Sequence, residues 1–206
     1  MQALHGGAGI GKEAVIRLGC VGELFLQLAK AEGHNAYFCA GSPERRAALE
    51  QFGIVGIDQK EYNRFATRED VGKFRSKVRE LTNGEDMHIV CDMLRGPCFN
   101  AGLTVAARQG VNVSAGWQLS QVVEYNSTLM SVKQVTIDHT HYETVIGCAA
   151  ATELYGSVFQ PTVHKEVYAF EDVPRAFHEM HENTQTGIPI IRMPGDLPAS
   201  LKGLDR

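Results

Sequence analysis

No Cys-x-x-Cys pair occurs among the five cysteines, and an odd number of thiols does not close a disulfide framework. Cys20, Cys39, Cys91, Cys98 and Cys148 therefore read as reduced thiols of a cytoplasmic protein, and with no zinc-ligand spacing no metal is expected. Cys39 and Cys91 lie in apolar runs and read as small core hydrophobes, while Cys98 beside Pro97 has no neighbour that marks a thiolate. Positive charge is also scarce. Twenty Lys and Arg against 24 Asp and Glu leave a formal net charge of -4, which gives a nucleic-acid partner no electrostatic support. No apolar run approaches the ~20 residues of a membrane helix, and Met1-Gln-Ala-Leu-His lacks the basic and apolar character of a secretion signal. Two catalytic patterns are missing as well: Tyr62, Tyr125, Tyr142, Tyr155 and Tyr168 have no lysine four residues on, and there is no Gly-x-Ser-x-Gly elbow.

What the chain does have is enough apolar material, 44% of 206 residues, for one full-sized domain. Residues 14–33 read as a strand, a glycine turn and an amphipathic helix. Val15 and Ile16 supply the strand, Gly19 and Gly22 the turn, and Leu24, Leu28 and Ala31 recur at helical spacing before Gly33. Such a turn lets backbone and helix N-terminus approach a dinucleotide pyrophosphate, so Arg17, Gly19, Cys20, Val21 and Gly22 are the expected contacts. Arg17 stands where a Gly-x-Gly-x-x-Gly fingerprint has its first glycine, and Leu18 where a small residue is preferred; Arg17 either crowds the turn or meets phosphate itself. The glycines of residues 6–11 followed by Lys12 approach a phosphate loop, but Glu13 replaces the magnesium-binding hydroxyl and no strand precedes. Residues 1–12 are read as a flexible leader.

The same alternation continues along the chain. Strands are expected at Asn35–Ala40, 54–57, 87–93, 110–116, 134–138, 163–170 and 188–193. Helices are expected at 43–52, Arg68–Leu81, 98–108, 142–155 and from Glu171 to before Gly187. Repeated strand–helix–strand units imply an α/β fold with a doubly wound parallel sheet, the three-layer α/β/α Rossmann arrangement, as one domain over 13–193 with a loose tail at 194–206.

Ligands of open parallel sheets lie beyond the carboxyl ends of the strands. This selects Met93, Leu94, Gly116, Trp117, Asp138 and His139. Asp138-His139-Thr140-His141 is a polar constellation able to relay protons, or else a solvent-facing loop at a subunit interface; His164, His178 and His181 read as outer residues. After the second strand no acidic residue precedes Glu44, and Ser42, Arg45 and Arg46 offer a hydroxyl and two guanidinium forks, unless the arginines are only solvated helix surface.

In these blocks the chain resembles the cofactor domain of the medium-chain dehydrogenase/reductase superfamily, in its quinone oxidoreductase and enoyl (crotonyl-CoA) reductase-like branch. The resemblance rests on residues 21–33, on Gly41-Ser-Pro-Glu-Arg45, on Asp86-Met-His-Ile-Val-Cys-Asp92 and on residues 167–178, of the form apolar-Phe-Glu-Asp-x-Pro-x-Ala, followed by Gly187-Ile-Pro-Ile-Ile191. It implies NADP(H) as cofactor, with Ser42 and Arg45 at the 2′-phosphate, and hydride transfer to an activated alkene, an enoyl thioester or quinone, as the small-molecule substrate. His139 matches an active-site histidine of the crotonyl-CoA reductase/carboxylase branch, although Thr140 breaks that branch's motif. A homodimer through the sheet edge near residues 134–138 is implied too. The family's GroES-like catalytic domain is not expected before Glu13, and Trp117 is then expected either to cover the nicotinamide end or to plug the interface left by that missing domain. The expectation is therefore either an enzyme completed by a separate catalytic-domain chain, or a silent nucleotide-binding or interaction module.

Overall fold

A computed structural model describes residues 13–17, 20–117, 119–140, 145–158, 160–182, 184–185 and 187–195, with side chains from Gly22 onward. The leader at 1–12, Gly19, the side chains of Arg17, Cys20 and Val21, and the tail beyond Gly195 lie outside the described residues. The chain groups into two units, residues 1–160 and 161–206.

In the first unit the elements run β1 (Glu13–Arg17), α1 (Cys20–Ala31), β2 (Asn35–Ala40), α2 (Pro43–Glu50), β3 (Val55–Asp58), a 3-10 segment (Gln59–Phe65), α3 (Arg68–Leu81), β4 (Met87–Asp92), α4 (Pro97–Val105), β5 (Ala106–Ser114), α5 (Ser127–Lys133), β6 (Thr136–His139) and α6 (Val145–Leu154). Six parallel strands form one sheet in the order β3-β2-β1-β4-β5-β6. The order reverses between β1 and β4, which is the switch point of a doubly wound sheet.

Both faces of the sheet are buried because successive strand residues point to opposite sides. Tyr37, Cys39 and Val90 join Phe74, Val78 and Ala101 of α3 and α4 in one cluster. Ala36, Phe38, Ala40 and Cys91 join Leu26 and Leu49 of α1 and α2 in another. Cys39, Cys91 and Cys98 are all buried, and burial pushes the Cys91 thiol up to about 12.

Several elements depart from the sequence expectation. The buried side of α1 is Gly22, Leu26, Gln27, Leu28 and Ala29, whereas Ala31 is exposed. Gln27 is accommodated because its amide mimics a strand: it donates to the Gln160 carbonyl at 3.2 Å and accepts the Gln160 N–H at 3.0 Å. Helix α4 stops at Val105, not at residue 108, and Ala106 is extended. The buried Lys133 ammonium meets the orphaned carbonyls there, donating to Thr104 at 2.8 Å and to Ala106. Helix α5 was not expected at all; the Asn126 side chain caps it by accepting the Leu129 N–H at 3.0 Å.

The second unit holds β7 (Val163–Ala169), a 3-10 turn (Phe170–Asp172), α7 (Val173–His181) and β8 (Ile188–Arg192), with β7 and β8 paired in parallel in a sheet of their own. Among the described residues no helix is long and apolar enough to cross a membrane.

Candidate functional site

The carboxyl ends of the central strands carry one polar rung. Arg17 is the register partner of Asp92, Asp92 of Ser114, and Ser114 of His139, across β1, β4, β5 and β6. In the rung before it Ile16, Cys91 and Val113 are apolar across β1, β4 and β5, and the edge strand β6 adds Asp138. A chain that is hydrophobic along its strands thus turns polar where they leave the sheet.

Two loops continue the pairing beyond β4 and β5. The Ala115 N–H donates to the Asp92 carbonyl at 3.2 Å, and the Leu119 N–H to the Leu94 carbonyl at 2.9 Å. Gly116 is held so closely that a Cβ there would stand 1.9 Å from the Met93 carbonyl oxygen. Met93, Leu94, Gly116 and Trp117 are therefore brought together, with Leu94 buried and the Trp117 ring half exposed. Asp138 lies one rung inside His139 at the edge strand, and both are exposed.

Sequence reasoning missed three groups here. Buried Asp92 accepts the N–H groups of Leu94 at 3.0 Å and of Arg95 at 3.1 and 3.0 Å, which fixes the turn after β4. Arg95, at φ +61°, reaches back over β5: its Nε donates to Ser114 Oγ at 3.2 Å and its Nη2 stands 3.4 Å from His139 Nδ1. A lone arginine in a loop carries no sequence signal; the Asp-x-x-Arg spacing after a strand is the only trace it leaves.

The β2 exit is a separate place, on the far side of β1. Ser42 caps α2, accepting the Arg45 N–H at 3.3 Å and donating to Glu44 Oε2 at 2.7 Å. That hydroxyl holds the Glu44 carboxyl below the usual range, with Lys60 and Arg46 adding smaller pulls. Arg46 is engaged elsewhere: it donates to the Ala40 carbonyl at 2.6 Å and to Asp58 at 2.8 Å. Lys60, also missed by sequence reasoning, runs its stem past Gly41, with Cε 3.7 Å from where a Cβ would stand. The Arg45 backbone and the Lys60 stem thus lie close to Ser42 and Gly41 at the β2 exit, while Arg46 closes the β2–β3 corner.

Enclosed space lies elsewhere. A cavity of about 20 Å³ between the sheet and helices α3 and α4, lined by Cys39, Phe65, Phe74, Cys91 and Cys98, has room for a water and not for a nucleotide. In the second unit His164, Glu166 and Glu179 bring one ligand atom each within 4.8 Å of one another. Arg175 already serves that cluster, donating to Glu166 and, at 3.0 Å, to Glu179, while Tyr168 donates to Glu179 at 2.6 Å.

Comparison with known proteins agrees with this geometry. The family model described as zinc-binding dehydrogenase matches residues 20–155. The crotonyl-CoA reductase of Streptomyces collinus is 24% identical over 187 residues, which are 82% of this chain and 40% of that protein. The phthioceranic/hydroxyphthioceranic acid synthase of Mycobacterium bovis is 24% identical over 189 residues, 85% of this chain but 8% of that protein. The structure of a crotonyl-CoA carboxylase/reductase in complex with NADP superposes with a TM-score of 0.79 at 16% identity, covering 92% of this chain and 51% of that one. The chain therefore spans between 8% and 51% of the length of these relatives.

Proposed function

Since the chain belongs to the zinc-binding dehydrogenase family, we propose that it is the NADPH-binding part of a reductase that adds hydride to an activated alkene, an enoyl thioester or a quinone. The observation that carries this reading is the polar rung Asp92, Ser114 and His139 beside the β1/β4 switch point, with Gly116 pressed against Met93 next to it. When bound, the dinucleotide supplies a hydride and is left oxidised. The chain's residues do the rest: the close approach of Gly116 to Met93 leaves a low wall at the strand exits, Trp117 offers an aromatic face, and His139 offers a polar hydrogen-bonding ring.

The zinc in the family's description does not fit these residues. Among the described residues the set His164, Glu166 and Glu179 is the one close enough to share an ion, and Arg175 already neutralises both carboxylates.

NADPH is favoured over NADH by Arg45 and Lys60 beside Ser42, two cations against the single carboxylate of Glu44. The Ser42–Glu44 hydrogen bond supports the second reading, NADH, because a carboxylate at this place accepts from a ribose hydroxyl and repels a 2′-phosphate. Assembly with other copies or chains accompanies either reading. β6 forms an edge of the sheet, and Val145 and Ile146 of α6 are 86% and 83% exposed.

Titration of the chain with NADPH and with NADH, followed through quenching of Trp117, the only tryptophan, tests the binding. NADPH oxidation with crotonyl-CoA or a simple quinone tests the chemistry. Tighter binding of NADPH than of NADH together with turnover is expected. Binding without turnover assigns the chemistry to a partner chain, and absence of binding overturns the proposal.

A further inference from the structure

His139 is the last residue of the edge strand β6, and three neighbours decide how its ring is held. Its backbone is registered with Ser114, whose carbonyl accepts the Thr140 N–H at 3.1 Å, so the strand end is tied to β5. Its ring stacks on Phe99, with centroids 5.8 Å apart and planes 11° from parallel. The third neighbour is Arg95, whose Nη2 stands 3.4 Å from His139 Nδ1.

Arg95 reaches this place at a conformational cost. It is not glycine, yet it sits at φ +61°, in the left-handed region. The Asp92 carboxylate holds it there through the Leu94 and Arg95 N–H groups, and the Arg95 Nε–H is fixed on Ser114 Oγ at 3.2 Å. The same rung that ends the strands therefore aims the guanidinium at the imidazole.

A guanidinium has only donors. It can meet Nδ1 only as an acceptor, and a neutral ring with a lone pair on Nδ1 carries its proton on Nε2. Among the described residues Nε2 has no hydrogen-bond partner. We propose that Arg95 is a positioning residue that locks His139 as the Nε2–H tautomer, so that His139 serves as a hydrogen-bond donor to the substrate's carbonyl oxygen.

The tautomer follows from this site's geometry; the substrate atom rests on the function proposed above. When a hydride adds to the β-carbon of an activated alkene, the alkene's electron pair moves toward the carbonyl oxygen, which gains negative charge; a solvent proton then completes the α-carbon. A donor already oriented toward that oxygen, backed by a fixed cation, is strengthened as the charge develops. A quinone or thioester carbonyl meets this requirement, and an alkene without a conjugated carbonyl does not.

The test has two separable arms. In the first, two-bond nitrogen–proton NMR correlations of His139 are recorded on the intact chain in mildly alkaline buffer. The wild type is expected to show the Nε2–H pattern alone, and Arg95→Met a mixture of both tautomers; Ser114→Ala, which frees the guanidinium without removing it, is expected to fall between them. A proton on Nδ1 in the wild type overturns the assignment whatever the variants do, and so does a ratio unchanged in a folded Arg95→Met.

The second arm reads the function through replacement of the ring. Gln places its amide near the position of Nε2, whereas Asn places it near Nδ1. His139→Gln is therefore expected to keep kcat within roughly tenfold of the wild type, and His139→Asn to lose about a hundredfold, with NADPH binding unchanged in both. Equal losses overturn the donor role. A wild type that binds no NADPH defeats the reductase reading, and the NMR arm still decides the role of Arg95.

Discussion

Arg46 Nη2 lies 2.8 Å from Asp58 Oδ2, joining the helix after β2 to the end of β3. The same guanidinium donates to the Ala40 carbonyl at 2.6 Å, and the Arg46 side chain is only 15% exposed. Its charge is therefore spent inside the corner, although Arg45 and Arg46 are indistinguishable from the sequence alone.

The first prediction separates the three cations of this corner. Arg45→Ala and Lys60→Ala are each expected to weaken NADPH binding roughly tenfold, the ~1.4 kcal/mol of one exposed charge-assisted contact, and to leave NADH binding unchanged. Arg46→Ala is expected to lower stability by roughly 1–2 kcal/mol and to weaken both dinucleotides alike. Glu44→Gln, by removing the carboxylate on Ser42, is expected to tighten NADPH selectively. Parallel titrations with the two dinucleotides and a urea unfolding curve check all four variants.

How much of this was legible follows from where each residue sits. Asn35–Ala40 and Arg68–Leu81 were read to the residue, because an apolar strand and a 3.6-period helix with Thr67 as cap announce themselves locally. The strand exits followed from the parallel sheet once the alternation was recognised, so His139, Gly116 and Trp117 were reachable. Arg95, Asp92 and Ser114 were not: their meeting depends on register across three strands and on a left-handed turn, neither of which leaves a periodic pattern. Helix α5 was missed for a related reason, since Ser127–Lys133 carries few apolar residues and is anchored at its end by a buried lysine.

That lysine supplies the second prediction. Lys133 Nζ stands 3.5 Å from Asp86 Oδ2 and donates to the carbonyls of Thr104 and Ala106, in a place where burial pulls its pKa below the ordinary value. Lys133→Met is expected to cost roughly 2–3 kcal/mol, because Asp86 keeps Arg75 at 3.1 Å but two carbonyls lose their donor. Replacing Lys133 and Asp86 together by Met and Leu is expected to cost more than Lys133→Met alone, because Arg75 then loses its carboxylate and Leu must take the left-handed backbone of Asp86 at φ +64°. Denaturant unfolding of the single and double variants checks both statements; a double variant as stable as the single overturns the account.

A third prediction concerns alkaline pH. Tyr62 packs on Phe65 and Phe74, and burial, reinforced by Glu61, raises its phenol from 10.0 to about 12. Between those values the folded state holds a proton that the unfolded chain has released. Stability from this group is therefore complete below pH 10 and lost as pH rises toward 12, by an amount on the order of 2 kcal/mol. Tyr62→Phe is expected to remove that part of the alkaline loss. Urea midpoints of the two proteins across this pH range measure the difference.

The last prediction uses Gly116 to divide the two halves of the dinucleotide site. A methyl group at this position would stand 1.9 Å from the Met93 carbonyl oxygen. That carbonyl cannot retreat alone, because the loops on either side are tied by the Ala115 and Leu119 N–H groups to the Asp92 and Leu94 carbonyls at 3.2 and 2.9 Å. Gly116→Ala must therefore part the β4 and β5 exits, at a cost of roughly 2–3 kcal/mol in stability. Ser42, Arg45 and Lys60 sit at the β2 exit, beyond β1, and do not share those hydrogen bonds. The variant is expected to weaken NADPH binding by tenfold or more while leaving the affinity for an adenosine bisphosphate that carries the 2′-phosphate within about twofold of the wild type. Loss of both affinities together in a folded variant would mean that the two exits move as one body and that Ser42 and Gly116 do not read separate ends of the ligand.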